Sequence, residues 1–373
     1  MEKQKVYTAI GLMSGTSLDG VDAALLRTDG MHKVEPIGFL HEPYALDLRQ
    51  TLRACFGQER LDDAGKQAER AMTLAHADLV KRLMALYPEY KPDVIGFHGQ
   101  TILHDTGRKI TVQIGDADLL AQETQTDVVH DFRQRDVSAG GQGAPLAPLY
   151  HAARVRDAKM PRPAALLNIG GVANITWIGH DEEHIIAFDT GTGNAMMDDY
   201  AKRHLALDYD PDGALAAVGS VDELAVMQWM SDGYFAAPPP KSLDRNEWDV
   251  AVMGPLAKGL VGLSVEDALA TLLEFSVQGV VRAFDHIPAK PAAIYVCGGG
   301  RHNKTMMQRL KEELRCDVYD VDVLGWDGDA TEAECFGYLA VRCRKQLPIS
   351  LPGTTGVPEP LTGGRLATLP QRV

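Results

Sequence analysis

A short segment near the N-terminus, residues 14–20, combines two glycines, three hydroxyl side chains and one carboxylate between two apolar runs. Glycine lets backbone N–H groups approach a ligand closely, and a turn can align several of them as an anion-binding nest. The hydroxyl groups would add donors for a phosphate, and Asp19 and Asp22 could hold a metal ion through water. The Gly-Lys-Ser/Thr ending of a P-loop is missing. An ordinary surface hairpin explains the same composition, because Gly, Ser and Asp are common turn residues.

Three further apolar runs lead into glycine-dense polar segments, at residues 97–101, 167–174 and 296–303. In α/β sheets, loops of this kind gather at the strand ends, where ligands bind. Each of them alone is explained as a tight turn. Together with the N-terminal segment, they favour a nucleotide cleft between two domains.

Asp189 follows the apolar run 185–188 directly and is flanked by glycines and hydroxyl side chains. A carboxylate at a strand end can reach a substrate with few steric neighbours, so Asp189 could act as a general base or as a metal ligand. The structural alternative is a turn aspartate that hydrogen-bonds its own backbone.

A dense charged cluster, residues 131–136, precedes the glycine-rich stretch 140–143. Arginine presents a planar fork to carboxylate or phosphate groups. A solvated charge run is the usual explanation, but the adjoining glycines favour a contact with substrate. Lys241, Ser242 and Arg245 follow three prolines and could serve an anionic ligand, although a structural role is favoured for them.

The bulk composition excludes several classes of function. The chain has 373 residues, enough for two domains, with 45% hydrophobic and 24% charged residues, as in ordinary globular proteins. A net charge of −14 argues against partners such as nucleic acid or an anionic membrane surface. Five dispersed cysteines without a Cys-x-x-Cys pair favour reduced thiols, and neither a signal peptide nor a spanning helix is expected. These features predict a cytoplasmic location.

Strand-like and helix-like segments alternate along the chain, which predicts an α/β fold. Strands are expected at residues 6–13, 21–26, 38–40, 92–98, 110–114, 164–169, 175–178, 185–188, 294–297 and 317–321. Helices are expected at residues 46–55, 64–86, 116–125, 195–203, 265–283, 303–314 and 331–344.

The opening motif, Gly11-Leu-Met-Ser-Gly-Thr-Ser-Leu-Asp-Gly20, closely resembles that of the anhydro-N-acetylmuramic acid kinase family. Further matches extend over nearly the whole chain, in order: His98-Gly-Gln-Thr101, Asp131-Phe-Arg133, Arg135-Asp136, Gly140-Gly-Gln-Gly-Ala-Pro-Leu146, Asn168-Ile-Gly-Gly171, Phe188-Asp-Thr-Gly191, Gly193-Asn194, Pro239-Pro-Lys-Ser242 and Val296-Cys-Gly-Gly-Gly300.

The resemblance implies two actin-like (ribonuclease H-like) α/β domains with an ATP cleft between them. Residues 1–127, joined by about 350–373, would form one domain, and residues 128–349 the other. The resemblance makes Asp189 the catalytic residue. It assigns ATP binding to Gly15, Thr16, Ser17, Leu18, Asp19, Gly20, Val21, Asp22, Asn168, Gly170, Gly171, Gly298, Gly299 and Gly300. The expected substrate contacts are His98, Gln100, Asp131, Arg133, Asn194 and Glu332.

The reaction that the resemblance implies is unusual, because hydrolysis of a 1,6-anhydro ring accompanies phosphoryl transfer from ATP. The product would be N-acetylmuramate 6-phosphate, with Mg²⁺ as the metal cofactor. The partners are then ATP and a small amino sugar, and a homodimer is compatible with this interpretation. Two alternatives stay open: a sugar kinase that opens no ring, and a nucleotide-dependent sensor without turnover.

The chain departs from the family pattern at three places. Thr192 stands where proline is common, residues 243–248 differ from the usual Thr-Gly-Arg-Glu, and residues 332–336 differ although Glu332 is retained. These departures concern fine substrate contacts more than the reaction.

Overall fold

The computed structural model describes residues 5–181, 184–243 and 258–369. By their internal packing the residues form two compact units: unit 1, Met1–Lys159 with Ala330–Val373, and unit 2, Met160–Asp329. Residues 128–159 and 330–349, which the sequence analysis assigned to the second domain, therefore pack within unit 1. The assignment of independently folding domains stays a prediction.

The strands of the two units are β1 (Tyr7–Ser14), β2 (Gly20–Thr28), β3 (Val34–Pro43), β4 (Val94–Asp105), β5 (Ile110–Ile114), β6 (Val128–His130), β7 (Ala164–Ile169), β8 (Val172–Ile178), β9 (Ile185–Thr192), β10 (Ala293–Cys297), β11 (Asp317–Asp320) and β12 (Arg365–Ala367). The α-helices are α1 (Leu46–Ala54), α2 (Asp63–Leu86), α3 (Ala117–Thr124), α4 (Gln134–Ser138), α5 (Pro148–Asp157), α6 (Ala195–Leu205), α7 (Glu223–Trp229), α8 (Gly233–Ala236), α9 (Val265–Ala283), α10 (Lys304–Leu314), α11 (Thr331–Arg344) and α12 (Pro352–Thr355).

Both units are built on the same strand order. In unit 1 the order is β12-β6-β4-β1-β2-β3, with β5 paired to β4. Strands β1, β2 and β3 pair antiparallel, whereas β1 with β4 and β4 with β6 pair parallel. Unit 2 has the order β11-β10-β7-β8-β9, which repeats the part β6-β4-β1-β2-β3 of unit 1: an antiparallel three-strand meander followed by two parallel strands. The predicted α/β class is confirmed.

The sheet of unit 1 is covered on both faces because successive side chains of a strand point to opposite sides. On one face, Ile10 and Leu12 of β1 pack with Leu79 and Leu83 of α2. On the other, Ala9 packs in a cluster with the buried residues of α11. Helix α11 lies directly on the backbone of β1 and β4, since a Cβ atom at Gly11 or Gly96 would overlap its carbonyl oxygens.

The core of unit 2 is arranged around α9, whose buried residues join a cluster with Ile175, Phe188 and Ile294 of the sheet. The side-chain hydroxyl of Ser264 caps the helix by accepting the N–H of Asp267 at 3.1 Å. The buried face of α9 therefore covers the sheet of unit 2.

Two strands extend further towards the C-terminus than the sequence predicts. The apolar run before His98 continues as a strand to Asp105, so residues 98–101 lie within β4 and do not form a loop. Likewise β9 continues to Thr192, so Asp189 lies within a strand and does not follow one. In both cases neighbouring strands supply ladder partners that a local pattern does not reveal.

All five cysteines lie within the described residues, and none forms a disulfide. Among the described helices, none combines the length and the apolar character needed to cross a bilayer.

Replacing Gly11 with alanine tests the contact between β1 and α11. A Cβ atom there would overlap the carbonyl oxygen of Ala333, so we expect a destabilisation of about 1–3 kcal/mol and a clearly lower melting temperature. Gly233→Ala is the control, because its added methyl group meets no atom within 4 Å. Equal melting temperatures for the two variants would show that the helix does not contact the strand.

Candidate active site

The turn between β1 and β2 is fixed by a buried leucine and by hydrogen bonds within the turn. Leu18 is fully buried, has a left-handed backbone (φ 57°) and donates its N–H to the Gly15 carbonyl at 3.1 Å. The Asp19 carboxylate accepts the Ser17 hydroxyl at 2.7 Å and the Gly20 N–H at 3.1 Å. A buried leucine at the tip distinguishes this turn from an ordinary surface hairpin, because a freely solvated tip would not bury it.

Ser14 and Gln100 hold the turn against β4. The Tyr44 hydroxyl donates to Ser14 Oγ at 2.9 Å, and Ser14 Oγ donates to Gln100 Oε1 at 2.7 Å. The amide nitrogen of Gln100 donates to the Thr101 carbonyl at 3.2 Å, and Gln100 is fully buried. The Ser14 hydroxyl, considered above as a phosphate donor, and the amide of Gln100 are thus both used inside the fold.

Asp22 lies on β2, opposite His41 of β3. Its Oδ1 is 2.7 Å from Nδ1 of His41, and this hydrogen bond is the main cause of the raised pKa of the imidazole. The described residues hold no group of three or more His, Cys, Asp or Glu side chains suited to a metal. Mg²⁺ does not require such a group, because it keeps several waters and is usually bound through one or two carboxylates and the substrate phosphates.

Arg133 is held by two neutral acceptors. Its Nε donates to Nε2 of His98 at 2.9 Å, and its Nη1 donates to the Gly143 carbonyl at 2.6 Å. Arg135, by contrast, is exposed and donates to Thr362 Oγ1 at 2.6 Å. The structure therefore separates two arginines that the sequence could not rank.

Asp131 borders a cavity of about 430 Å³ within unit 1, together with His98, Gln113 and Gln134. Its backbone is left-handed (φ 58°), and its Oδ2 is 3.0 Å from Nε of Arg365, which also lines the cavity. Burial raises the pKa of the Asp131 carboxyl. The sequence analysis missed Arg365, because only the antiparallel pairing of β12 with β6 brings this C-terminal residue there.

Glu332 lies in the first turn of α11 and is half-buried. The buried Cys335 thiol, whose pKa is raised mainly by burial, is influenced by the charges of both Glu332 and Arg133. Two buried hydrogen bonds fix this end of the helix: Glu334 accepts Nη1 of Arg154 at 2.8 Å and also the hydroxyl of Tyr150. Glu332 and Arg133 thus both lie near the Cys335 thiol.

In unit 2, Asp189 is tied to its surroundings at three atoms and is 6% exposed. Its carboxylate Oδ2 accepts the N–H of Leu243 at 2.8 Å, its carbonyl accepts the Tyr234 hydroxyl at 2.6 Å, and its N–H donates to the Lys241 carbonyl at 3.1 Å. The carboxylate is therefore oriented by a distant segment of the chain. The sequence analysis missed Tyr234 because no motif marks it.

Lys241 supports this arrangement. Its ammonium donates to the Tyr234 carbonyl at 2.8 Å and lies 4.5 Å from the centre of the Tyr234 ring. Burial lowers its pKa to about 8. Lys241 thus serves structurally here, as the sequence analysis favoured, whereas Arg245 and most of the 243–248 departure lie outside the described residues.

The predicted segments around Asn168, Asn194 and Gly298 lie close together near the strand ends of the unit 2 sheet. Asn168, the penultimate residue of β7, lies opposite Cys297, which ends β10. A Cβ atom at Gly298 (φ 77°) would collide with the Asn168 amide, and the Asn194 N–H donates to the Gly170 carbonyl at 2.8 Å. Predicted residues that are brought together here are Asn168, Gly170, Gly171, Asn194, Gly298, Gly299 and Gly300.

Thr192 is tied to helix α9 through Ser276. Its hydroxyl lies 2.9 Å from that of Ser276 on α9, and Ser276 Oγ donates to the Gly193 carbonyl at 3.0 Å. The threonine that replaces the usual proline is therefore hydrogen-bonded to the helix behind the strand.

The five-strand order common to both units, with polar and glycine-rich segments in or beside the strands, defines the class: an α/β protein of two mixed sheets. A sequence profile described as "Anhydro-N-acetylmuramic acid kinase" matches residues 7–368. The chain belongs to the anhydro-N-acetylmuramic acid kinase family of ATP-dependent kinases, which confirms the resemblance.

Relatives of that name cover almost the whole chain. The protein of Rhizorhabdus wittichii is 46% identical over 364 residues, which span 95% of this chain and 97% of the relative. That of Gluconobacter oxydans is 48% identical over 366 residues, 96% of this chain and 99% of the relative. A solved structure, the activator of 2-hydroxyisocaproyl-CoA dehydratase from Clostridium difficile, is 13% identical with a TM-score of 0.46, covering 91% of this chain and 96% of that one. A likeness this low adds nothing to the family assignment.

The pair of Asp22 and His41 yields a pH-dependent prediction. Because Asp22 raises the pKa of His41 above 6.5, its stabilising effect is fully present below pH 6.5 and is lost as the pH rises through the folded-state pKa. In Asp22→Asn the pKa should fall towards 6.5, as followed by NMR titration of the imidazole. The melting-temperature difference between variant and wild type should shrink at alkaline pH, and an unchanged His41 pKa would contradict the pairing.

Proposed function

We propose that the protein uses ATP and Mg²⁺ to open the 1,6-anhydro ring of 1,6-anhydro-N-acetylmuramic acid by hydrolysis and to phosphorylate O6. The products are N-acetylmuramate 6-phosphate and ADP, as required for peptidoglycan recycling and amino-sugar catabolism. The observation that carries the proposal is the family match over residues 7–368. Assembly as a homodimer stays a prediction.

Asp189 is the general base in this proposal. Its carboxylate takes a proton from water, the water oxygen bonds to C1, and the C1–O6 bond breaks. O6 then attacks the γ-phosphorus, and the bond from that phosphorus to ADP breaks. The hydrogen bond from Leu243 N–H supports this role, because it fixes one carboxylate oxygen and so orients the other.

The nucleotide contacts are proposed for the segments already described. The turn of residues 15–22 binds phosphate groups, Asn168, Gly170 and Gly171 form a second phosphate segment, and Gly298–Gly300 approach the adenosine. The buried Leu18 supports a preformed turn, which would lose little entropy on binding. When bound, Mg²⁺ offsets charge on the phosphates, with Asp19 and Asp22 holding it through water.

The sugar contacts are proposed for Asp131, Arg133, Asn194 and Glu332, with His98 and Gln100 beside them. Arg133 is the proposed partner of the lactyl carboxylate, because its hydrogen bonds to His98 and to the Gly143 carbonyl hold the cationic guanidinium in place. Arg135 is exposed, so it would lose more side-chain freedom on binding.

Turnover of 1,6-anhydro-N-acetylmuramic acid with ATP and Mg²⁺ in ¹⁸O-water tests the coupled reaction. We expect one label at C1 of a 6-phosphorylated product. In Asp189→Asn, kcat should fall by about 10²- to 10⁴-fold, because the base is lost. Asp285→Asn is the control: this carboxylate is exposed and pairs only with Arg282 at 3.1 Å among the contacts described, so activity should not change.

Three results would contradict the proposal. An unlabelled phosphorylated sugar would indicate a kinase that opens no ring. Ligand binding without any turnover would indicate a sensor. Full activity of Asp189→Asn would remove the assigned base.

Replacing the two arginines separately tests the carboxylate partner. Arg133→Met should raise KM for the sugar about 10- to 100-fold, the effect of losing a charged hydrogen bond, and leave KM for ATP unchanged. Arg135→Met, the matched control, should leave both constants near wild type. Steady-state kinetics with each substrate varied gives the comparison; equal effects of the two variants would exclude Arg133 as the specific partner.

A further inference from the structure

Both ring nitrogens of His98 are hydrogen-bonded inside the fold. Nδ1 lies 2.7 Å from the carbonyl oxygen of Gly99, which can only accept, so Nδ1 carries the proton. Nε2 lies 2.9 Å from Nε of Arg133, which can only donate, so Nε2 is the acceptor. The side chain is therefore a neutral Nδ1–H imidazole.

The surroundings keep this imidazole neutral. His98 is 3% exposed, and its ring lies 4.5 Å from that of Phe336 on α11. Burial is the largest cause of its pKa lying well below 6.5; the charge of Arg133 and the neighbouring His76 of α2 lower it further, against the bond to Gly99. Protonation of Nε2 would also turn this acceptor into a donor. It would then face the N–H donor of the cationic Arg133, and the hydrogen bond between them would break.

The second hydrogen bond of the guanidinium, from Nη1, is also supported by a chain of hydrogen bonds within the fold. Gly143, whose carbonyl accepts Nη1 of Arg133, donates its N–H to Oδ1 of Asp136 at 2.6 Å. Oδ2 of the buried Asp136 accepts the hydroxyl of Thr355 at 2.6 Å. Arg133 is thus held at two points by groups that are themselves fixed.

We propose that His98 is a positioning residue: its Nε2 accepts the Nε–H of Arg133 and so sets the plane of the guanidinium that meets the carboxylate of the sugar. This rests on the proposed function for the identity of the carboxylate. It also refines the role of His98, because an imidazole with both nitrogens engaged in the fold acts on the substrate through Arg133 and not by contact. Part of the rotamer entropy of the arginine side chain is then lost on folding instead of on binding.

The tautomer of the wild-type protein provides a test that needs neither a variant nor turnover. ¹H–¹⁵N NMR of the histidine side chains should show His98 with a proton on Nδ1, none on Nε2, and no titration between pH 5.5 and pH 8, in contrast to an ordinary histidine with a pKa of about 6.5. A proton on Nε2, or titration near the ordinary value, overturns the pairing even if the enzyme is active on the anhydro sugar.

Two substitutions separate positioning from mere packing. His98→Gln keeps a carbonyl oxygen able to accept from Arg133, whereas His98→Phe keeps an aromatic ring and no acceptor. We expect His98→Phe to lower kcat/KM for the sugar about 10- to 100-fold with KM for ATP unchanged, and His98→Gln to restore most of it. Equal losses in both variants, or none in His98→Phe, overturn the proposal.

A double-mutant cycle with Arg133→Met completes the test. Because His98 acts through Arg133, adding His98→Phe to Arg133→Met should cause little further loss of kcat/KM. Fully additive losses show that His98 acts independently of Arg133, which contradicts the proposal. In His98→Phe the Arg133 Nε–H should also exchange faster with solvent than in wild type or His98→Gln.

The two proposals fail in different ways. If the wild-type protein does not turn over the anhydro sugar, the proposed function is wrong. The NMR tautomer and the Nε–H exchange rates then still decide whether His98 positions Arg133.

Discussion

The contact between helix α11 and the glycines of β1 and β4 is the constraint on which the rest of unit 1 depends. Only glycine at positions 11 and 96 lets a helix backbone lie directly on the two central strands. This contact sets the distance of α11 from the sheet and the direction of its axis. It therefore also sets the position of Glu332 in the first turn of the helix. It also places Phe336 against His98, behind the guanidinium of Arg133. A packing requirement and a functional arrangement therefore share the same residues.

Polar groups of the site are fixed by partners outside it, and this is common to both units. Asp189 is oriented by Leu243, Tyr234 and Lys241, which lie far along the chain. Arg133 is oriented by His98 and Gly143. Fixing a charged group before the ligand arrives reduces the entropy lost on binding and the reorganisation needed during reaction. Two of these partners, Leu243 and Tyr234, lie outside the matching motifs, and Leu243 contributes only its backbone N–H, which nearly any residue would supply.

The family, the α/β class and the kinase activity could be read from the sequence, because the motifs that indicate them are local segments. Several roles inside those segments could not. Gln100 and Ser14 belong to a matching motif, yet their polar atoms bond each other within the fold. Arg133 and Arg135 are two residues apart and chemically identical, and only burial and partners separate them. Arg365 joins Asp131 through a strand pairing between distant parts of the chain.

The sequence by itself determined where glycine, carboxylate and arginine occur relative to apolar runs, and hence the chemistry available to this protein. The tertiary structure decided which of those groups are oriented and by what. The physical reason is that hydrogen bonds and burial depend on distance in space: β4 and β9 extend through their polar motifs because neighbouring strands pair with them. His98 likewise became a neutral acceptor only when folding brought Gly99, Arg133 and Phe336 around its ring.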